Sequence, residues 1–368
     1  MGAQDSSEAT RDAAGGLPPT ALDADGRAGF LIVCLCGLGR VVNALPVLHA
    51  LRETYPDSRT GWLAEEEMAP LLRGHRELDR LHVVPRSEWK ALSWWGRRRA
   101  MKTFAHELGA AGYTVTVDLH GSRASAPFAR ASGAALRLSY APPEGARLGR
   151  RYYTCRIVPS PRLRHVAERN LSLLVPLAVK RADPVYVFPD LARARERALA
   201  KFAASPERKY AVLHPGASWP SRQWPADRYA EIARRIVSEL EIDVCVTASG
   251  DVERSRGEGV AKAAGEGARV VPDLELDELA GFLSGAALFV GGDAGPMHLA
   301  SGLGVPTVAI FGPTTPGRKG PTGPRARAIE AGLPCAGCGR KTCTYGTDAC
   351  MTKIEPGEVF DLAREALA

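Results

Sequence analysis

Apolar residues along this chain gather in short runs, and between the runs they recur every three or four positions. The runs at 30–35, 60–63, 81–84 and 114–119 have the length and β-branched content of buried strands. The helical period follows the first run, where Val41, Leu45, Leu48 and Leu51 share a face, and it fills 92–111 and 165–179. Residues 184–189, bounded by Pro184 and Pro189, read as a linker. The alternation then restarts, with strands expected at 210–214, 243–247, 269–271, 287–290 and 307–311. Strands that alternate with helices need crossovers, so the pattern predicts two successive α/β halves, each around a parallel sheet. The expected layout is a disordered tail at 1–27, Rossmann-like domains at 28–183 and 184–354, and a final helix at 355–368. A ligand belongs at the carboxyl ends of the strands, in the cleft where the halves face each other.

Length agrees, since 368 residues exceed what one core usually organises. No apolar run approaches the ~20 residues that span a bilayer. The first 27 residues have neither an apolar signal core nor a basic amphipathic pattern, so a cytoplasmic protein is expected. The formal charge is +7, and 39 of the 48 basic residues are Arg. Arginine's donor fork suits phosphate and carboxylate, although biased codon use explains the excess equally well. The basic clusters, Arg97 to Arg99 and Arg150 with Arg151, lie in no nucleic-acid module, and no nucleic-acid partner is expected. Trp89, Trp94 and Trp95 beside Arg97 leave a peripheral membrane contact open, against the plainer reading of a core helix with a solvated end.

The most informative stretch is 288–313, which encodes strand, glycine-rich turn, short helix and strand without a gap. Gly291 and Gly292 permit a sharp turn, and Pro296 suits the first helical turn. The helix then aims unpaired N–H groups at whatever sits beside Asp293, Ala294 and Gly295, which is how a chain holds phosphate. His298 is one turn further in, within reach of a phosphate or ribose oxygen. Asp293 has two readings, as a helix cap or as a group that positions a donor sugar. The competing reading of the whole unit is a structural tight turn.

Cys335, Cys338, Cys343 and Cys350 form C-x2-C-x4-C-x6-C before the final helix. Four thiols so close are candidates for a structural Zn or Fe, with free thiols or structural pairing as the alternatives. Cys34, Cys36, Cys155 and Cys245 sit mostly in apolar runs and read as small buried hydrophobes.

Several separated segments together resemble the family 9 glycosyltransferases, the bacterial heptosyltransferases of lipopolysaccharide core synthesis. They include LIVCLCGLGRVVNALPVLHALRETYP, GWLAEEEMAPLL, VDLHGSRASA, HVAERN, HPGASWPSRQWP and GGDAGPMHLASGLGVPTVAIFGPT, and they run from Phe30 to the cysteine-bearing tail. Their order and spacing are closest to the members that add the first heptose. The resemblance implies a GT-B fold, two Rossmann-like domains facing a central cleft. It implies an ADP-heptose donor in the C-terminal half and a glycolipid or saccharide acceptor, commonly the Kdo of a lipid A precursor, in the N-terminal half. Transfer would invert the anomeric centre and need no metal or other cofactor. It would take place in the cytoplasm, at the inner face of the membrane where the acceptor is a lipid.

On the donor side the resemblance assigns Arg222 and the backbone at Asp293, Ala294 and Gly295 to the diphosphate, whose growing charge needs fixed donors. Ala294 stands where the family usually has Thr or Ser, so one hydroxyl contact is missing. Ser218, at the end of the turn that starts at His214, is within reach of the diphosphate, with a plain loop as the alternative. Glu253 beyond a strand suits ribose hydroxyls, or equally the N-terminal dipole of its own helix. On the acceptor side, His165 and Arg169 lie four apart on one helical face that touches an acidic acceptor in the family, and Arg123 is a second contact.

The main departure is Gly39-Arg40, where the family carries Gly-Asp and uses the Asp as base. Arginine offers no lone pair and cannot take a proton. Three explanations compete. A nearby carboxylate serves instead, with Glu65, Glu66, Glu67 and Asp118 as candidates; or Arg40 binds an acidic acceptor group; or the fold persists as a sugar-nucleotide-binding protein. Two rival classes remain. A nicotinamide dehydrogenase is disfavoured because Gly37-Leu-Gly39 lacks its third glycine, whereas a noncatalytic binding protein is not excluded.

Overall fold

The computed structural model describes residues 17–142, 151–179, 183–202 and 209–368. The first sheet comprises β1 (Gly29–Cys34), β2 (Arg59–Glu65), β3 (Arg80–Val84), β4 (Val115–Asp118), β5 (Leu136–Tyr140) and β6 (Cys155–Ile157), in the order β3-β2-β1-β4-β5-β6. The second comprises β7 (Tyr210–His214), β8 (Asp243–Val246), β9 (Ala268–Val270), β10 (Leu288–Gly292), β11 (Thr307–Phe311) and β12 (Ala326–Glu330), in the order β12-β11-β10-β7-β8-β9. All pairings are parallel, and the order of each sheet reverses beside its own first strand. The crevice at such a reversal is where doubly wound sheets bind ligands. The switch points between β1 and β4 and between β7 and β10 therefore mark the two halves of a site.

The central strands were legible because they are covered on both faces: every residue of β1, β7, β10 and β11 is buried, which requires an unbroken apolar run. Sequence pattern did not reveal β5, β6 or β12. The strands β6 and β12 lie at sheet edges, and β5 carries Arg137 and Ser139, so the apolar signal is diluted. The helix expected over 92–111 runs from Trp94 to Gly109 and starts where the Ser93 hydroxyl accepts from Gly96 N at 3.2 Å, and a separate short helix, Arg86–Ala91, precedes it. The helix expected over 165–179 ends at Ser172. Pro176, which has no N–H to give, sits in a separate 3-10 turn, Val175–Leu177.

Residues 1–16 of the expected tail, and Arg150 of the second basic pair, lie outside the described residues. From 17 onward the segment is docked rather than disordered. Ala21 is fully buried, its carbonyl accepts from Thr114 Oγ1 at 2.7 Å, and Asp23 pairs with Arg59 at 3.2 Å. The final helix, Pro356–Leu367, buries Val359, Phe360 and Ala363 in the core of the second sheet and belongs to that unit. Among the described residues no helix is long and apolar enough to cross a membrane.

A seam of two helices joins the halves. Helix Leu38–Val42, after β1, packs on helix Gly295–Gly302, after β10, and glycines make the approach possible. A Cβ at Gly39 would stand 2.4 Å from His298 Cδ2, and one at Gly295 would stand 3.0 Å from Leu38. The linker straps the same seam: Tyr186 donates to Asn43 Oδ1 at 3.2 Å, and His75 Nε2 meets the Val187 carbonyl at 2.9 Å.

Burial lowers the pKa of His75, His82, His165 and His214, that of His82 to about 4. The unfolded chain protonates histidine near its ordinary value of about 6.5, whereas these native sites resist. Their stabilising contribution is complete above about pH 6.5 and is lost as the pH falls below that, for His82 toward about 4. The urea midpoint is expected to drop between about pH 7.5 and about pH 5, less steeply in His82→Gln. A midpoint that holds constant over that range would refute the assignment.

Candidate active site

Between the halves lies a cleft of about 840 Å³, bordered by the carboxyl ends of β1, β4, β7, β8 and β10. Its donor-side corner is built on Asp293, which leaves β10 and is only 3% exposed. Three cationic or proton-donating groups converge on this carboxylate: Arg222 at 3.4 Å, His298 at 3.5 Å and Lys319 at 3.7 Å. Burial alone would raise its pKa, but His298, Lys319, Arg222 and Thr314 outweigh burial and hold it at about 2. Asp293 is therefore an anion that aligns cations. It does not cap the helix, because the N-cap is Ala294, with no side-chain capping bond.

Arg222 is held on three sides. Its guanidinium stacks 3.7 Å from the Trp219 ring, donates to the Asp293 carbonyl at 3.2 Å and pairs with the Asp293 carboxylate. Arg222 Nε is buried without a hydrogen-bond partner. Such an atom costs free energy unless a ligand or water satisfies it, which fits a corner made for a polar anion.

Ser218, Glu253, Ala294 and Gly295 also line the cleft. Ser218 is exposed in it, while Glu253 packs over Gly216, where a Cβ would stand 2.4 Å from its carboxyl carbon, and accepts from Ser249 N at 3.0 Å. Lys319 and Arg318 were not singled out from sequence, and the only signal was a basic pair in the loop after β11. Val271, Leu274, Leu276 and Leu279 add an apolar wall on the same side, suited to a flat aromatic group.

The acceptor side differs more from expectation. Arg40 and Arg169 line the cleft, but His165 and Arg123 do not. His165 is the N-cap of helix Val166–Ser172 and its Nε2 meets the Gly320 carbonyl at 3.1 Å, so it joins the halves instead of sharing a face with Arg169. Arg123 is exposed outside the cleft. The expected bases are displaced too. Glu65 is held by Arg86, and Glu66 accepts from Ser87 N and Oγ at 2.9 and 2.8 Å, both away from the cleft. Asp118 is fully buried and accepts from His120 N at 3.0 Å, Gly121 N at 2.9 Å and the Tyr153 hydroxyl at 2.7 Å. It shapes the turn that presents His120. Glu67 does line the cleft, as do Cys36 and His120, which sequence reasoning passed over; Cys36 is half-buried there, not a core hydrophobe.

The metal expectation for Cys335, Cys338, Cys343 and Cys350 finds no support in the structure. Burial first, then the neighbouring three thiols, push the Cys350 thiol up, so the four lie in one region. Yet among the described residues no group of three or more His, Cys, Asp or Glu is arranged to hold a metal ion. All four are free thiols, and Cys335 and Cys338 are exposed.

The profile of Glycosyltransferase family 9 (heptosyltransferase) matches residues 101–348. The chain belongs to glycosyltransferase family 9. A relative in this family, Lipopolysaccharide heptosyltransferase 1 of Pseudomonas aeruginosa, is 33% identical over 341 residues, covering 91% of each protein. Among solved structures, the family 9 glycosyltransferase of Veillonella parvula superposes with a TM-score of 0.81 at 20% identity, covering 92% of this chain and 97% of that one. The Escherichia coli heptosyltransferase WaaC with ADP gives 0.73 at 22% identity, covering 92% and 99%. The fold is thus GT-B, and the protein is a glycosyltransferase. A nicotinamide dehydrogenase is set aside. Within family 9, Arg40 remains the feature to be explained.

Proposed function

We propose that this family 9 enzyme transfers a heptose from ADP-heptose to an acidic sugar acceptor of the Kdo-lipid A type, building lipopolysaccharide core. The carrying observation is the Asp293 corner, where Arg222, Lys319 and His298 converge beside a helix N-terminus across the cleft from the acceptor side. The Escherichia coli relative has been solved with ADP and with ADP-2-deoxy-2-fluoro heptose, which supports an ADP-sugar donor. In this reading the apolar wall of Val271, Leu274, Leu276 and Leu279 takes the adenine, and Glu253 takes the ribose. Arg222 and Lys319 receive the charge that collects on the departing diphosphate. The acceptor oxygen attacks from the opposite domain, so a single displacement inverts the anomeric centre. No metal is needed, since fixed cations supply the neutralisation.

Arg40 and Arg169 line the acceptor side and suit the carboxylate of an acidic acceptor. Trp94 and Trp95 are exposed beside Arg97, Arg98 and Arg99, which supports peripheral contact with the inner face of the membrane. The test is direct. Among a panel of nucleotide sugars, ADP-heptose is expected to raise the thermal midpoint most, by the equivalent of about 2.7 kcal/mol at a hundredfold excess over Kd. It is also expected to yield heptosylated Kdo-lipid A. Stabilisation by ADP-heptose without transfer to any acceptor would instead favour a noncatalytic binding protein.

A further inference from the structure

An inverting transfer needs a group that accepts the acceptor's hydroxyl proton, and the usual place for it holds Arg40. Of the carboxylates in the cleft lining, Glu253, Asp273 and Asp293 come from the donor domain, and Asp293 is already neutralised by three partners. On the acceptor side Glu67 follows β2, one strand away from the switch point. Cys36 follows β1, the switch-point strand itself, and stands three residues before the Gly39 that touches His298.

We propose that Cys36 Sγ is the proton acceptor for the attacking hydroxyl, with His120 and Arg40 as its positioning groups. This rests on the transferase reading above. Cys36 and His120 open on the same cleft, and Arg40 Nη1 lies 3.9 Å from Cys36 Sγ. His120 is delivered by the Asp118 turn, whose carboxylate is fixed by two backbone N–H groups and Tyr153. Its Nδ1 is buried without a partner. Behind the site Cys34 is fully buried and stays protonated, its own pKa raised by its hydrogen bond with Cys36 and by burial.

The charges facing Cys36 agree with this role. Its hydrogen bond with Cys34 lowers its pKa most, burial opposes, and His120 and Arg40 add to the lowering, leaving it at about 4. Asp118 is the acidic neighbour, and it acts on Cys34 and His120. A thiol whose anion is favoured by its neighbours can take a proton at neutral pH, the task an Asp would otherwise perform.

The step balances without a co-reactant. The acceptor oxygen bonds to the anomeric carbon as its proton passes to Cys36 Sγ. The bond from that carbon to the diphosphate oxygen breaks, and its electron pair leaves with ADP toward Arg222 and Lys319. The thiol then returns its proton to solvent.

The experiment compares wild type, Cys36→Ala, Cys36→Ser, Cys36→Asp, His120→Ala and Glu67→Gln in transfer from ADP-heptose to Kdo-lipid A, with kcat and KM measured across pH. The expected result is a loss of about 10²–10⁴ in kcat for Cys36→Ala and Cys36→Ser with the KM for donor little changed, and partial recovery in Cys36→Asp. In His120→Ala the acid limb of the pH profile is expected to move upward, because the thiol loses a partner that favours its anion. Alkylation of full-length protein by iodoacetamide, followed on the Cys36 peptide by mass spectrometry, should show an inflection near the acid limb of catalysis, and one near the ordinary thiol value of about 8.5 would overturn the proposal. Full activity in Cys36→Ala together with loss in Glu67→Gln would overturn it as well and give the base to Glu67. If the wild type transfers nothing from any donor, the transferase reading itself has failed and the base with it. If the wild type works and Cys36→Ala works equally, only the base has failed.

Discussion

Replacing Arg222 with Ala is expected to lower kcat for sugar transfer by about 10²–10³, the usual loss when one fixed donor to a developing anion is removed. The size of the effect follows from how little Arg222 can move. Trp219 covers one face of its guanidinium at 3.7 Å, and the Asp293 carbonyl and carboxylate hold its edge, so its orientation is set before substrate arrives. A group arranged in advance has no reorganisation to undergo as the diphosphate departs. The substitution would also leave Asp293 buried with one cation fewer, so donor affinity should fall along with turnover. Arg222→Lys should recover little, because an ammonium cannot stack flat on Trp219 while donating to Asp293. Steady-state kinetics at saturating donor checks this, with circular dichroism to establish folding. A kcat within threefold of wild type would remove Arg222 from the transition state.

The second large effect is expected at a residue with no side chain. Gly39→Ala would place a methyl 2.4 Å from His298 Cδ2 and 3.1 Å from its Nε2. The imidazole cannot easily retreat, since its Nδ1 is 3.3 Å from Asn43 Nδ2 and its Nε2 is 3.5 Å from Asp293. Either the ring leaves Asp293 or the two helices of the seam separate, and both misalign donor and acceptor. A displacement of about 1 Å can cost about a hundredfold in rate, so kcat should fall by one to two orders of magnitude. ADP binding should change far less, because Arg222, Lys319 and the apolar wall lie beyond the clash. The decisive control is a double-mutant cycle. Adding His298→Ala removes the obstructing ring, so the pair should be less impaired than the sum of its single variants. Strict additivity would show that the seam at Gly39 is not under this constraint.

How far the site could be read from sequence depended on whether each residue acts through its neighbours in the chain or through space. The Asp293 turn was legible because its glycines, proline and helix are consecutive, and local backbone geometry makes the anion site. Lys319 was not legible, because it reaches Asp293 across a gap of 26 positions from a different loop. The misassigned carboxylates teach the same lesson. Glu65 and Asp118 both end strands, as an active-site acid should, yet one is turned toward Arg86 and the other is enclosed by Tyr153 and two backbone N–H groups. Strand position predicts which end of the sheet a residue occupies, not which way its side chain faces. Cys36 was misread for a related reason. It follows the buried Leu35, but it is the second position past β1, where the strand's cover stops and the cleft begins.

From sequence alone came the two parallel α/β halves, the central strands and the phosphate corner, because each depends on periodicity or on a few adjacent backbone dihedrals. It was equally plain that Arg40 could not be a base, since that is a property of the guanidinium in any setting. Only the tertiary structure decided what surrounds Asp293, that His165 meets the Gly320 carbonyl outside the cleft lining, and that the four late cysteines form no metal-holding group among the described residues. It also brought Cys36, His120 and Arg40 together at one end of β1. Those outcomes depend on side-chain direction and on contacts between residues far apart in the chain, set when the sheets twist and the halves dock.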